Sequence, residues 1–287
     1  MSAPDISIIT PAFNGLSYLK RCCGSVRDQA GVSVEHIVID ASSTDGTKEW
    51  LVQQSHLRWI SEPDRGMYDA VNKGIRMAHG RILAYLNCDE QYLEGALNNV
   101  ITCFDGNRHA DLVYGDMLVV RPNGSLAAFR KSYPLRWWAV LAGHLYVPSC
   151  ALFWRRRITE NGLMFNDSFR DTGDAEFVVR VLRSGYACVH LRRYLSAFTL
   201  TGQNMSAGIN AAKERDRMLA EAPPWVRRLR GPINAWRLGA KLVSGAYVES
   251  FPLPYDLFTA DPPTARSAFR CDKASFRWPT DAEGQGS

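Results

Sequence analysis

Short carboxylates placed directly after apolar runs are the first feature of this chain that could do chemistry. Arg81-Ile82-Leu83-Ala84-Tyr85-Leu86 leads into Asn87-Cys88-Asp89-Glu90. A carboxylate there can offer hard oxygen ligands to Mg²⁺ or Mn²⁺ while substrate phosphates fill the ion's other positions. Asp89 is the best placed of the group. The same residues could instead cap the next helix, a common use of Asn and Asp at strand-to-helix turns. Asp40 ends a second apolar run and precedes Ser42-Ser43-Thr44-Asp45-Gly46-Thr47, a loop able to hydrogen-bond a base and then cap a helix. A lone Asp in such a place is more often structural.

The elements that position these residues are legible from periodicity. Ile6 to Thr10, His36 to Asp40 and Arg81 to Leu86 are strand-sized and rich in β-branched residues. Helical patterns separate them, around Leu16 to Gln29, Thr47 to Gln54 and Met67 to Met77, the last with Ala70, Val71, Ile75 and Ala78 on one face. Strand and helix alternating in this way predict a mostly parallel, doubly wound α/β sheet flanked by helices. Ligands of such sheets sit beyond the carboxyl ends of the strands, which singles out Thr10 to Asn14, Asp40 to Ser43 and Asn87 to Glu90. Asp111 to Val120 with a turn at Pro122-Asn123-Gly124 suggests a hairpin. Phe177, Val178, Val181 and Leu182 predict a helix from Asp174 that stops at Gly185. After about Ser206 the chain becomes helical and Arg-rich, and beyond Pro252 it reads as a Pro-interrupted tail.

Composition narrows the class. With 287 residues, 46% of them hydrophobic and 22% charged, the chain can build one large domain with an appendage and is too polar for an integral membrane protein. Its net charge of +5 is local: Pro223 to Val248 holds Arg227, Arg228, Arg230, Arg237 and Lys241 with no acid. The remainder is close to neutral, which argues against nucleic acid as a partner. Seven cysteines without a CxxC pair fit the reduced thiols of a cytoplasmic protein rather than a disulfide framework or a zinc site. The first strand begins too early to leave room for a signal-peptide core, and no apolar run reaches the ~18 residues that span a bilayer.

Four segments, Ser7 to Asn14, Val38 to Thr47, Glu62 to Gly74 and Leu86 to Glu90, resemble in order and spacing the family 2 glycosyltransferases of GT-A fold. The resemblance implies transfer of a sugar from a nucleotide diphosphate sugar, with UDP the usual nucleotide, to a glycan or lipid-linked glycan acceptor. It places Thr10, Pro11, Phe13 and Asn14 at the nucleotide-sugar site, with Asp40 facing the base. Asp64, Arg65 and Asn72 would stand beside base and ribose or brace that wall. Asp89, beside Asn87 and Cys88, corresponds to the metal carboxylate of the family's Asp-x-Asp motif, binding Mn²⁺ or Mg²⁺. Asn87 stands where the first Asp of that motif often does.

Pro148 to Arg156, Phe165 to Arg170 and Gly173 to Phe177 resemble the family's acceptor-side segment, in which a carboxylate opening a helix acts as base. By position that residue is Asp174, with Asp171 and Glu176 as alternatives and helix capping as the bland one. His144 and Trp154 are expected near the acceptor, although an isolated Trp is more often core. The expected organisation is a catalytic domain over 1–205, split into a nucleotide-sugar half (1–110) and an acceptor half (111–205), and a basic helical extension over 206–287. Val226, Leu229, Ile233, Trp236, Ala240, Val243 and Tyr247 form one helical stripe, with Gly231-Pro232 as its expected break. That stripe either packs on the catalytic domain or lies in the interface of an anionic membrane at its cytosolic face, through 223–248. Neither G-x-G-x-x-G nor a Gly-rich basic loop follows the first strand, which excludes a dinucleotide oxidoreductase and disfavours a nucleotidyltransferase. A catalytically silent nucleotide-binding module of the same fold is the remaining rival.

Overall fold

The computed structural model describes residues 3–202, 209–259 and 264–279. Its first half alternates as the periodicity requires: β1 (Ile6–Ala12), α1 (Leu16–Arg27), β2 (Val34–Asp40), α2 (Thr47–Val52), β3 (Arg58–Ser61), α3 (Met67–Met77) and β4 (Ile82–Tyr85). Next come β5 (Glu90–Tyr92), α4 (Ala96–Gly106), β6 (Leu112–Val120), β7 (Leu126–Arg130), α5 (Trp137–Ala142), β8 (Leu152–Arg155), α6 (Arg157–Glu160), α7 (Gly173–Arg183) and β9 (Cys188–Thr199). The C-terminal part adds α8 (Ile209–Ala220), α9 (Pro224–Arg228), α10 (Arg230–Val243), β10 (Leu253–Leu257) and β11 (Ser267–Cys271).

The main sheet runs β3-β2-β1-β4-β8-β6-β9-β5, with β7 paired to β6. Strands β3, β2, β1 and β4 are parallel. Strand β8 joins antiparallel between β4 and β6. Helices cover both faces, and two large apolar clusters fill the layers. One gathers Ile9, Ile37, Tyr85, Trp154, Phe165 and Phe177 under α3, α5 and α7; the other gathers Ile8, Val26, Ala84, Leu97 and Phe153 under α1 and α4. Parallel strands buried on both faces need continuous apolar runs, which is why those of β1, β2 and β4 stand out in the sequence.

Three local readings change. Glu90 opens β5, and α4 begins at Ala96 after Gly95, so the Asn87–Glu90 turn does not cap a helix. Beyond Pro252 the chain forms an antiparallel hairpin, β10 with β11, whose Tyr255 and Leu257 are buried with Leu118, Val120 and Phe129. Alternating Leu253, Tyr255 and Leu257 carried that signal, and the prolines around them masked it. The helical stripe breaks at Leu229, while Gly231 and Pro232 sit in the first turn of α10, where a missing backbone N–H costs nothing. Val226 and Ile233 join the core with Met218 and Ala222. The boundary expected at 205/206 lies outside the described residues.

Candidate active site

The carboxyl ends of β1, β2 and β4 open into one cleft of about 720 Å³. Pro11, Phe13 and Asn14 line it after β1, Ala41 after β2, and Asp64 and Gly66 ahead of α3. Asn87, Cys88 and Asp89 follow from β4, and Asp171 and Asp174 from the head of α7. Phe13 is 65% exposed, a flat apolar face held out at the rim where it could stack on a base. Asn14 ties the first two strand ends together. Its backbone N–H donates to Ser43 Oγ (2.8 Å), and its Oδ1 accepts from the Thr44 N–H (2.9 Å).

Four expected residues do not line the cleft. Thr10 is fully buried, its hydroxyl 2.9 Å from His36 Nε2. Asp40 is also fully buried, one residue behind Ala41, and accepts from Ser61 Oγ (2.6 Å) and the Ser43 N–H (3.3 Å). Asn72 exchanges two hydrogen bonds with the Phe165 backbone, at 2.8 and 3.0 Å. Arg65 pairs with Asp69 (3.0 Å) and Asp167 (2.5 Å). Asn72 and Arg65 thus clamp the 165–170 loop against α3. Asp64 Oδ1 accepts from the Gly66 N–H (2.8 Å), shaping the turn into α3. Gly66 has φ 122°, a backbone conformation that side-chain-bearing residues rarely adopt, so glycine suits this position.

Carboxylates differ sharply within the cleft. Glu90 is buried behind Asp89 and accepts from the Asn87 N–H (2.8 Å); burial, then the Asp89 charge, raises its pKa. Burial also pushes the Cys88 thiol up to about 12, leaving it inert as a nucleophile. Asp174 occupies the first turn of α7, where its Oδ1 accepts from the Ala175 N–H (2.8 Å) and the Tyr68 hydroxyl (3.4 Å). Burial outweighs both bonds and raises its pKa from 3.8 to about 6. A carboxylate so placed is charged at neutral pH yet far better matched to accepting a proton than an ordinary Asp. Asp171 is raised too, by burial and then by Glu214. The aromatic stack Tyr68, Phe165 and Phe177 underlies α7. Gly173 lets Tyr68 approach this closely: a Cβ there would meet the ring at 2.6 Å.

Trp154, Glu176 and His144 are not brought to the cleft. Trp154 is fully buried beneath α7, edge-on to Phe165 and Phe177. Glu176 is paired with Arg180 at 2.6 Å. His144 is exposed on the side of Arg237, whose guanidinium nitrogen lies 3.1 Å from its Nε2. Sequence reasoning missed Tyr68, although it lies inside a motif block, and it missed Glu214 entirely. From α8, Glu214 accepts from the N–H groups of Arg170 (2.5 Å), Asp171 (3.1 Å) and Thr172 (2.9 Å) and from the Thr172 hydroxyl (3.0 Å). No local pattern announces a contact of this kind.

The sequence profile of the family described as Glycosyl transferase family 2 matches residues 7–169, more than half of the chain. The chain belongs to glycosyl transferase family 2. This family 2 member is 29% identical over 256 residues to an uncharacterized glycosyltransferase of Mycobacterium tuberculosis, covering 86% of this chain and 91% of that one. It is 33% identical over 129 residues to a PGL/p-HBAD biosynthesis glycosyltransferase of Mycobacterium bovis, covering 43% and 50%. Two solved structures share its fold. TarS of S. aureus, residues 1–349 with UDP-GlcNAc, superposes with a TM-score of 0.58 at 14% identity over 93% of this chain and 99% of that one. A mannosyltransferase from Pyrobaculum calidifontis, with GDP-Man and Mn²⁺, gives 0.57 at 18% identity over 88% and 78%. The fold is therefore GT-A, and the family 2 member is a glycosyltransferase.

Proposed function

We propose that the enzyme transfers a sugar, with inversion, from a UDP-sugar to an acceptor hydroxyl in polysaccharide or glycolipid synthesis, with Asp174 as general base. One observation carries the reading: Asp89, after β4, and Asp174, at the head of α7, line the same cleft. Fold neighbours that bind UDP-GlcNAc and GDP-Man support a nucleotide-sugar donor. Phe13 supplies a stacking face for the base, and the loop held by Asn14 supplies polar groups beside it.

Among the described residues, no group of three His, Cys, Asp or Glu side chains could hold a metal by itself. Asp89, partly exposed beside Asn87, instead suits Mn²⁺ or Mg²⁺ arriving with substrate phosphates, because these ions reserve several positions for phosphate and water. When bound, the ion would offset the charge of the diphosphate leaving group. The chain's own residues do the rest. Asp174 accepts the proton of the acceptor hydroxyl as that oxygen bonds to the anomeric carbon. The bond from that carbon to the diphosphate breaks, its electron pair leaving with the nucleotide. Holding both reactants in one cleft removes much of the entropic barrier. A single displacement of this kind inverts the anomeric configuration.

Nucleotide release from UDP-, GDP- and TDP-sugars, with Mn²⁺ or Mg²⁺ and candidate glycan or lipid-linked glycan acceptors, tests the reading. Turnover is expected with a UDP-sugar. Nucleotide binding without turnover of any donor would instead identify a binding module.

A further inference from the structure

Beyond its first residue, Arg230, helix α10 keeps its charges off its exposed side. Its exposed positions from Gly231 to Val243 carry no charged residue: Gly231, Pro232, Asn234, Ala235, Leu238, Gly239, Leu242 and Val243 face outward. Leu242 is 71% exposed and Val243 89%, with Val248 open beyond them. A surface helix ordinarily shows the reverse pattern. On the neighbouring α9 and its turn into α10, Trp225 and Leu229 are exposed among Arg227, Arg228 and Arg230, the first residue of α10.

Lys241 of α10 turns toward a small cavity of about 20 Å³, lined also by Arg130, Lys131, Tyr133 and Tyr247 and by no carboxylate. Arg237 is buried and donates from Nε to the Tyr133 hydroxyl (3.3 Å), while its guanidinium lies 5.3 Å from the Tyr146 ring centre. Lys241 Nζ stands 5.5 Å from the Tyr133 ring centre. Arg130 donates to the Phe276 carbonyl at 3.0 Å. Lys131 is already neutralised by Glu249 (3.1 Å), which also accepts from Tyr194 Oη. Burial, then Arg130 and Arg237, holds the Lys241 ammonium below the usual lysine range, as expected where cations lie close together. Unpaired charges in such a place are costly, and an anion would relieve them.

We propose that this face seats on an anionic membrane surface, the uncharged side of α10 entering the headgroup region while a lipid phosphate oxygen enters the cavity between Arg130 and Lys241. The cavity has room for about one oxygen-sized group, which matches a phosphate oxygen reaching in from the mouth rather than a whole buried ligand. The occupant is a lipid rather than free phosphate because the apolar row and the cationic cavity lie on one helix, and only a lipid offers both chemistries together.

Sedimentation of the full chain with vesicles tests this. Phosphatidylcholine vesicles containing phosphatidylglycerol should bind it, and added salt should weaken binding. The triple variant Leu238→Gln, Leu242→Gln, Val243→Gln changes only exposed positions and should keep its melting temperature while losing binding at least tenfold. Lys241→Gln should lose binding to phosphatidylglycerol vesicles several-fold. Glycerol phosphate, the headgroup without chains, should displace the protein only weakly. The proposal is overturned if wild type ignores these vesicles at low salt, or if both variants bind them as wild type does. Complete displacement by dilute glycerol phosphate would reassign the cavity to free phosphate. A concentration-dependent dimer abolished by the triple variant, without vesicle binding, would reassign the face to a second copy.

Discussion

Asp174 carries two consequences of its burial, and they pull in opposite directions. Its pKa rises from 3.8 to about 6, so the folded state binds a proton more tightly than the unfolded chain. The stability this contributes is fully present below pH 3.8 and is lost as pH rises through 6. At neutral pH the charged side chain therefore strains the fold, while the proposed role as base needs that charge. Asp174→Asn, which keeps an acceptor for the Ala175 N–H, should raise stability at pH 7 by about 2 kcal/mol and by little at pH 4, read from denaturant midpoints. Activity should climb with pH through about 6 as the base ionises, and a flat rate from pH 5 to 8 would count against it. Phe13 offers a simpler case. Being mostly exposed, Phe13→Ala should leave the melting temperature unchanged and weaken nucleotide binding by about 1 kcal/mol, as lost stacking does.

At the scale of elements, the question is what holds the head of α7 toward the strand ends. Glu214 gathers three successive backbone N–H groups of the 170–172 loop from outside it. Glu214→Ala should lower kcat at least tenfold with a small change in donor KM, and Glu214→Gln, with one acceptor oxygen, should fall between. Equal loss in donor binding would show that Glu214 shapes the donor side instead. Asn72→Ala opens the buried clasp on Phe165 and should cost about 2 kcal/mol in thermal or denaturant unfolding, because the Phe165 N–H and C=O are both left unpaired. These contacts mark the limit of reading from sequence. Alternating apolar runs gave away β1, β2, β4 and α3, since each run is buried where it stands. The role of Trp154, an apparent sugar platform that lies beneath α7, and the reach of Glu214 depend on which distant elements meet, and no local pattern encodes that.

For the whole molecule, the C-terminal part is not a loose appendage to a finished core. Met218, Val226 and Ile233 share the apolar cluster that contains Ile9 and Trp154. Gln91 clasps the Phe258 backbone with bonds of 3.0 and 2.9 Å, pinning the β10–β11 hairpin beside β5. A chain ending at Ser250 should uncover Leu118, Val120 and Phe129 and be poorly soluble, which expression and light scattering would reveal. Composition separates a neutral catalytic region from a basic extension, but it is silent on this shared packing. Prolines in the hairpin region and arginines on α10 both read as surface, whereas Tyr255 and Arg237 are buried.

The proposed division of labour is that one cleft binds a nucleotide sugar and Asp174 takes the acceptor proton. Its most direct test compares wild type with Asp174→Asn at pH 7.5 in the same Mn²⁺ or Mg²⁺ buffer, measuring UDP-sugar binding by calorimetry and sugar transfer by product analysis. Donor affinity should be unchanged and transfer reduced by ~10³-fold or more, on the scale of a lost general base. Transfer at the wild-type rate by Asp174→Asn would contradict it.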